Sequence, residues 1–145
     1  MQQPIVISGA GILGCYISCA LSLQGIDSIV LEKKDDEVED SVRTITLNPF
    51  SKNLLDKIGI ENDYSMINKM EVKDFDGTGK IVFKSSEIGM DHLAYVSDFA
   101  TLLMAVRKKA SEKILYKEEI IDIDNKGDLN EVTLSSGKVI KTNLI

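Results

Sequence analysis

Apolar residues near the start of the 145-residue chain follow first a strand pattern and then a helix pattern. The short apolar run Ile5–Ser8 predicts a buried strand, and the apolar spacing of Cys15–Gln24 predicts a helix. Gly25 is expected to end this helix, because glycine adopts a left-handed C-cap conformation without steric cost. A second apolar run, Ser28–Glu32, predicts a second strand. The start of the chain therefore predicts a βαβ unit.

The middle of the chain changes from helical to extended patterns. The charged segment 33–40 is expected to be a loop. Apolar positions at helical spacing then predict a helix that Asn48 caps and Gly59 ends. After it, 70–75 and 80–83 alternate between apolar and polar residues around an Asp-Gly-Thr-Gly turn, which predicts a β-hairpin.

The last third returns to a helix and finishes in strands. Val96–Ala110 has helical spacing, with Ser97 or Asp98 as the expected N-cap. A short strand, Ile114–Tyr116, should follow. Alternating residues then predict a β-meander and a further strand, from Glu118–Asp124, Glu131–Leu134 and a segment after the turn Ser135–Lys138.

The first predicted strand runs directly into a Gly-x-Gly-x-x-Gly motif. We expect Gly9 to turn the chain, Gly11 to let the backbone approach a pyrophosphate, and Gly14 to let the helix pack on the sheet. Unpaired amides and the positive end of the macrodipole at the helix start attract an anion. Glu32 ends the second strand, 18 residues beyond Gly14, where it can accept hydrogen bonds from a ribose diol. The pattern predicts a dinucleotide site, with NADP the least expected ligand because a carboxylate disfavours a 2′-phosphate.

The order of elements distinguishes two kinds of dinucleotide-binding fold. A nicotinamide-type dehydrogenase would repeat strand and helix regularly. Here a hairpin between two helices and a later meander interrupt that repetition, which favours a flavin-type domain. The predicted fold is α/β, with a Rossmann-like βαβ core, an inserted β-hairpin and a β-meander, incomplete at the C-terminus.

Composition and charge narrow the set of partners. The net charge is −6, from 17 basic and 23 acidic side chains, which argues against a nucleic-acid partner. The one basic run, 107–109, is interpreted as cations that complement the end of a helix. The N-terminus lacks the pattern of a signal peptide, and no apolar run is long enough for a transmembrane segment. We expect a cytoplasmic protein.

The residues that most often carry side-chain chemistry are few. Cys15 and Cys19 share one helix face and are interpreted as packing residues, and without a second Cys or His pair they predict no metal site. His92 is the only histidine, and nothing near it suggests a catalytic arrangement. We therefore nominate no catalytic side chain.

Several segments along the chain together carry a family resemblance. They are Gly9–Gly14, Glu32–Lys33, Arg43–Leu47 with Leu54–Gly59, Val72–Gly77 and Leu93–Val96. Over essentially its whole length, the chain resembles the N-terminal part of class A flavin monooxygenases. It is most similar to the aromatic hydroxylases of ubiquinone biosynthesis, relatives of para-hydroxybenzoate hydroxylase.

The resemblance implies FAD as the cofactor and assigns roles to individual residues. Glu32 would hold the adenosine ribose, and Arg43 would reach the diphosphate, which its planar fork suits. Lys33 is the candidate to border the adenosine end because it follows Glu32 directly. Where the family often has an amide or arginine near the flavin, this chain has Ser97–Ala100. The pyrophosphate would lie at Gly9, Ala10, Gly11, Ile12, Leu13 and Gly14.

The resemblance also implies a larger enzyme. The family continues into a later Gly-Asp motif whose aspartate binds the ribityl chain, so residues 1–145 are interpreted as the N-terminal portion of one FAD/NAD(P)-binding domain. The complete enzyme would use NAD(P)H and O₂ to hydroxylate a small aromatic substrate, a ubiquinone precursor, and a hydrophobic substrate would make it peripheral to the membrane. This chain alone is expected to be inactive.

Two other functions remain open at this point. One is a different FAD-dependent oxidoreductase, which would share the glycine motif and Glu32. The other is an inactive remnant or one half of a split enzyme, in which a second chain supplies the missing C-terminal part.

Overall fold

The computed structural model describes residues 3–38 and 42–145, and the chain divides into two compact units. Unit 1 consists of Met1–Asp40 together with Leu102–Ile145, and unit 2 consists of Ser41–Thr101. In chain order the strands and helices are β1 (Ile5–Ser8), α1 (Ile12–Leu23), β2 (Ser28–Glu32), β3 (Thr44–Leu47), α2 (Pro49–Lys57), β4 (Ser65–Ile67), β5 (Lys69–Lys73), β6 (Lys80–Lys84), β7 (Ala94–Asp98), α3 (Phe99–Lys109), β8 (Ile114–Tyr116), β9 (Ile120–Asn125), β10 (Asn130–Leu134) and β11 (Val139–Thr142). Short 3₁₀ helices lie at Ser85–Ile88 and Ser111–Lys113.

Unit 1 contains a parallel sheet with the strand order β1-β2-β8. Val6 of β1 lies opposite Ile29, and Glu32 at the end of β2 lies opposite Tyr116. Strands β9, β10 and β11 form an antiparallel meander whose core contains Val6 and Leu31 of the parallel sheet with Val132, Leu134 and Ile140. The predicted βαβ unit and β-meander are confirmed.

The free edge of β1 is partly paired by the residues that follow β11. The Val6 amide donates a hydrogen bond to the carbonyl of Leu144 at 3.1 Å. Thr142 supports this turn of the chain, because its hydroxyl also donates to the Leu144 carbonyl. The Val6 amide at the edge of β1 therefore has a hydrogen-bond acceptor.

Unit 2 contains an antiparallel sheet of order β3-β7-β4 and the hairpin β5-β6. The hairpin places Val72 opposite Ile81, as the alternating pattern predicted. Helix α2 begins as expected, because the Asn48 side chain accepts the Ser51 amide at 2.7 Å. It ends before Gly59, which has a positive φ of 73°.

One predicted helix begins later than expected. Val96–Asp98 belong to strand β7, where Val96 pairs with Thr46 on one side and Ser65 on the other. Helix α3 starts at Phe99, and the Asp98 carboxylate accepts the Thr101 amide at 2.7 Å, so Asp98 is the capping side chain. The predicted cap at Asp98 is confirmed. The helical spacing extended back to Val96 because strand pairing with two distant segments is not visible in the local apolar pattern.

Candidate functional site

The turn from β1 into α1 depends on two glycines. Gly9 has a φ of +102°, a conformation that side chains with a Cβ rarely adopt. A Cβ added at Gly14 would lie 2.1 Å from the carbonyl oxygen of Gly9. The helix therefore packs against the turn as closely as the glycine motif predicted.

Space remains at the start of helix α1. Gly11 is the N-cap residue and supplies no side-chain cap, and a Cβ added there would meet no atom within 4 Å. The first amides of an α-helix have no intrahelical acceptor, and they lie at the positive end of the macrodipole. Gly9–Gly11, called the glycine loop below, therefore leads into a helix start suited to an anion.

Glu32 lies beside the glycine loop. Its Oε2 accepts the Ala10 amide at 3.0 Å, and its Oε1 accepts the Lys34 amide at 3.0 Å. The side chain is only 13% exposed. A carboxylate offers about four lone pairs, so acceptor capacity remains for the hydroxyl groups of a ligand.

Arg107 of helix α3 is part of the same site in unit 1. Its Nε donates a hydrogen bond to the Ala10 carbonyl at 2.9 Å, and its Nη2 lies 3.6 Å from Oε2 of Glu32. The guanidinium carbon also lies 5.7 Å from the ring centroid of Tyr116. The arginine side chain is 11% exposed, and the structure thus joins it to both predicted ligand-binding elements.

The basic run lies in the last turn of α3, as predicted. Lys108 and Lys109 are exposed there, but Arg107 has a further set of contacts that the helix-end interpretation did not include. Arg107 follows buried Leu103 by four positions and precedes buried Ala110 by three, which places it on the packed face of the helix. This spacing was the available signal, because a cation on a buried face needs a partner.

The two cysteines of helix α1 are free and buried, in agreement with the packing interpretation. Burial raises the pKa of the Cys15 thiol to about 11, while the positive charge of Arg107 opposes the shift. Burial also raises the pKa of Cys19. Both thiols are therefore protonated at neutral pH and pack as small apolar groups.

The remaining residues named from the sequence lie in different places. Lys33 is exposed directly after β2. Arg43 belongs to unit 2, where its guanidinium lies 4.2 Å from the centroid of the Phe99 ring. Its role at a diphosphate stays a prediction. His92 Nδ1 forms a hydrogen bond with Oδ1 of Asn68 at 2.6 Å.

A shallow cavity of about 260 Å³ opens in unit 1 beside Arg107. The glycine loop does not contribute to its wall. Its lining residues are Asp36, Val38, Met104, Arg107, Lys108, Ser111 and Tyr116.

None of the helices in residues 3–38 and 42–145 combines the length and the apolar character needed to cross a membrane. Within the same ranges, no three His, Cys, Asp or Glu side chains are grouped as metal ligands.

Comparison with known proteins gives a family match over most of the chain. The model of the FAD binding domain family matches residues 2–130. A curated relative, the mitochondrial ubiquinone biosynthesis monooxygenase COQ6 of Danio rerio, is 25% identical over 97% of this chain and 35% of its own length. The match confirms FAD as the predicted cofactor and the predicted resemblance to flavin monooxygenases.

Solved structures share the fold. Klebsiella pneumoniae HpxO, determined with FAD and uric acid, has a TM-score of 0.75 at 18% identity over 98% of this chain and 38% of its own. The p-nitrophenol 4-monooxygenase PnpA of Pseudomonas putida has a TM-score of 0.77 at 15% identity over 98% of this chain and 39% of its own. The chain thus spans little more than a third of the length of these proteins.

Proposed function

Because the chain belongs to the FAD binding domain family, we propose that unit 1 binds the ADP half of FAD between the glycine loop and Glu32. The observation that carries this proposal is the 3.0 Å hydrogen bond from the Ala10 amide to the Glu32 carboxylate. It supports the proposal because it joins the start of α1 to Glu32 at the carboxyl ends of β1 and β2, where ligands bind in open α/β sheets.

The residues present fit such a group. The open space at Gly11 lets a diphosphate approach the backbone, and the first amides of α1 stabilise its negative charge. Glu32 is already oriented by two backbone amides, so little side-chain entropy is lost when a ribose diol binds. Arg43 is the candidate for a further diphosphate contact, and Lys33 for the adenosine border.

The complete enzyme is proposed to hydroxylate an aromatic ring, with a ubiquinone precursor as the substrate. The similarity to the ubiquinone biosynthesis monooxygenase of Danio rerio supports this substrate class. When bound, the flavin supplies the redox and O₂ chemistry, with electrons from NAD(P)H. The residues of this chain bind and orient the adenosine end, and none in the described parts is assigned a catalytic role.

The activity of the isolated chain and its location follow from the same proposal. In this proposal the chain binds only the ADP half of FAD. We therefore expect no hydroxylation without the remaining part of the enzyme or a second chain that supplies it. The cytoplasmic location stays a prediction, and the Danio rerio relative is named as mitochondrial.

The proposal is tested by titrating the purified chain with FAD and with ADP, following flavin fluorescence and heat of binding. Glu32→Gln should weaken ADP binding about tenfold or more, because a hydrogen bond to a charged acceptor contributes about 1.5–3 kcal/mol. The matched control is Glu37→Gln, which makes the same charge change at an exposed loop position.

Retained affinity for both ligands in Glu32→Gln would contradict the assigned ribose site. A wild-type chain that binds neither FAD nor ADP would contradict the proposal itself. That result would favour the remnant or the split enzyme whose partner chain is required.

A further inference from the structure

Arg107, Glu32 and the backbone of Ala10 all contact one another. The Ala10 amide donates to Glu32, the Ala10 carbonyl accepts from Arg107 Nε, and Arg107 Nη2 faces the same Glu32 oxygen. Both backbone polar groups of Ala10 are therefore held, one by each member of an ion pair. Arg107 and Glu32 are both largely buried, so solvent screens this pair less than a surface pair.

The hydrogen bond to the Ala10 carbonyl has a consequence for the next amide. The Ala10 carbonyl and the Gly11 N–H belong to one planar peptide group, and in a trans peptide they point in opposite directions. By holding the carbonyl, Arg107 turns the Gly11 N–H to the opposite side of that peptide. A Cβ added at Gly11 would meet no atom within 4 Å, so the backbone at this residue has room for a ligand.

The charge of Arg107 also matters to an anionic ligand. Glu32 carries a negative charge next to the helix start, where it would repel a diphosphate. The guanidinium, 3.6 Å from Glu32 Oε2, compensates that charge within the site. A ribose acceptor and a diphosphate site can then lie beside each other without an uncompensated carboxylate between them.

We propose that Arg107 is a positioning residue of the dinucleotide site, which fixes the Ala10–Gly11 peptide and compensates Glu32 so that the loop binds a diphosphate. This inference rests on the proposed function of unit 1. It predicts that Arg107 affects ligands with phosphates far more than ligands without them.

The experiment compares Arg107→Met with Lys109→Met in the full chain. Both variants remove one positive charge from helix α3, but Lys109 is exposed. Calorimetric titration with ADP should show at least tenfold weaker binding for Arg107→Met and less than twofold change for Lys109→Met. Titration with adenosine, which lacks phosphate, should change less than threefold in either variant.

A ligand-free readout separates positioning from general packing. Amide hydrogen exchange of the segment 6–15 should accelerate in Arg107→Met, while β10 and β11 keep their protection. Faster exchange across the whole of unit 1, with ADP affinity equal to wild type after correction for the folded fraction, would assign Arg107 a packing role only and overturn the proposal.

If Arg107→Met does not fold, Arg107→Lys is the variant that tests the proposal. Lysine keeps the charge but has no planar fork, so it cannot contact both Ala10 and Glu32 in the same way. It should bind ADP several-fold more weakly than wild type and adenosine equally well. Wild-type ADP affinity in this variant would overturn the proposal while leaving the FAD site intact, whereas a wild-type chain that binds no ADP or FAD would overturn both.

Discussion

Gly11 and Gly14 stand three positions apart and are constrained for different reasons. At Gly14 the limit is contact with protein, because a Cβ would lie 2.1 Å from the Gly9 carbonyl oxygen. At Gly11 a Cβ would meet nothing, so the folded protein itself tolerates one there. Under the proposed function, glycine at position 11 serves the close approach of a ligand diphosphate to the backbone.

Alanine at each position should separate these two constraints. Gly14→Ala should lower the free energy of unfolding by about 1–3 kcal/mol, because the helix must shift away from the turn. Gly11→Ala should cost about 1 kcal/mol or less, through the poorer N-cap preference of alanine, yet weaken ADP binding strongly. Urea unfolding and ADP titration of both variants measure the two effects. Equal stability losses, or unchanged ADP binding by Gly11→Ala, would contradict this assignment.

Individual residues also show how much of the candidate site the sequence predicts. Gly9, Gly14 and Glu32 were recognisable because their roles depend on a local strand–turn–helix and on the end of the next strand. Arg107 was missed because its partner Ala10 lies 97 residues earlier in the chain. Its spacing from Leu103 and Ala110 is compatible with the packed face of a helix, but no local pattern identifies the group that it contacts.

At the scale of elements, local signals predicted helices best where caps define them. Helix α2 starts after Asn48 and ends before Gly59, as predicted. The second half of β7, from Val96, was included in a helical stretch, and β3 and β4 were not predicted. These three strands form one sheet from segments far apart in sequence, so their stability comes from pairing that no local window contains.

The cap of α2 gives a test at this scale. Asn48→Ala should lower the free energy of unfolding of unit 2 by about 1 kcal/mol, because the Ser51 amide loses its 2.7 Å acceptor. Asn53→Ala is the matched control, since Asn53 lies exposed in the helix interior, where alanine has the higher helix propensity. Circular dichroism during urea unfolding measures both. A larger loss for Asn53→Ala than for Asn48→Ala would refute the capping role.

At the scale of the whole molecule, unit 1 is built from two separate stretches of chain. Val6 and Leu31 come from the first stretch, and Val132, Leu134 and Ile140 from the second, yet they form one core. Strand β8 also joins the sheet from the second stretch. The glycine motif and Glu32 thus depend on residues that follow unit 2 in the sequence.

This discontinuity predicts the behaviour of a shortened chain. Residues 1–101 keep the complete glycine motif and Glu32 but lose β8, the meander and Arg107, so we expect no ADP binding and little strand signal in circular dichroism. Binding should return when a separately prepared segment of residues 102–145 is added. ADP affinity equal to that of the full chain in residues 1–101 alone would show that the motif suffices.

The separation of 97 positions between Ala10 and Arg107 also sets an order of events during translation. At about 5–20 residues per second, the ribosome adds Arg107 roughly 5–20 s after the glycine loop. Throughout this interval the nascent loop lacks its arginine and the core residues Val132, Leu134 and Ile140. With the proposed site, flavin capture would wait for the synthesis of helix α3 and the strands after it, and a pause in translation between the two stretches would delay it.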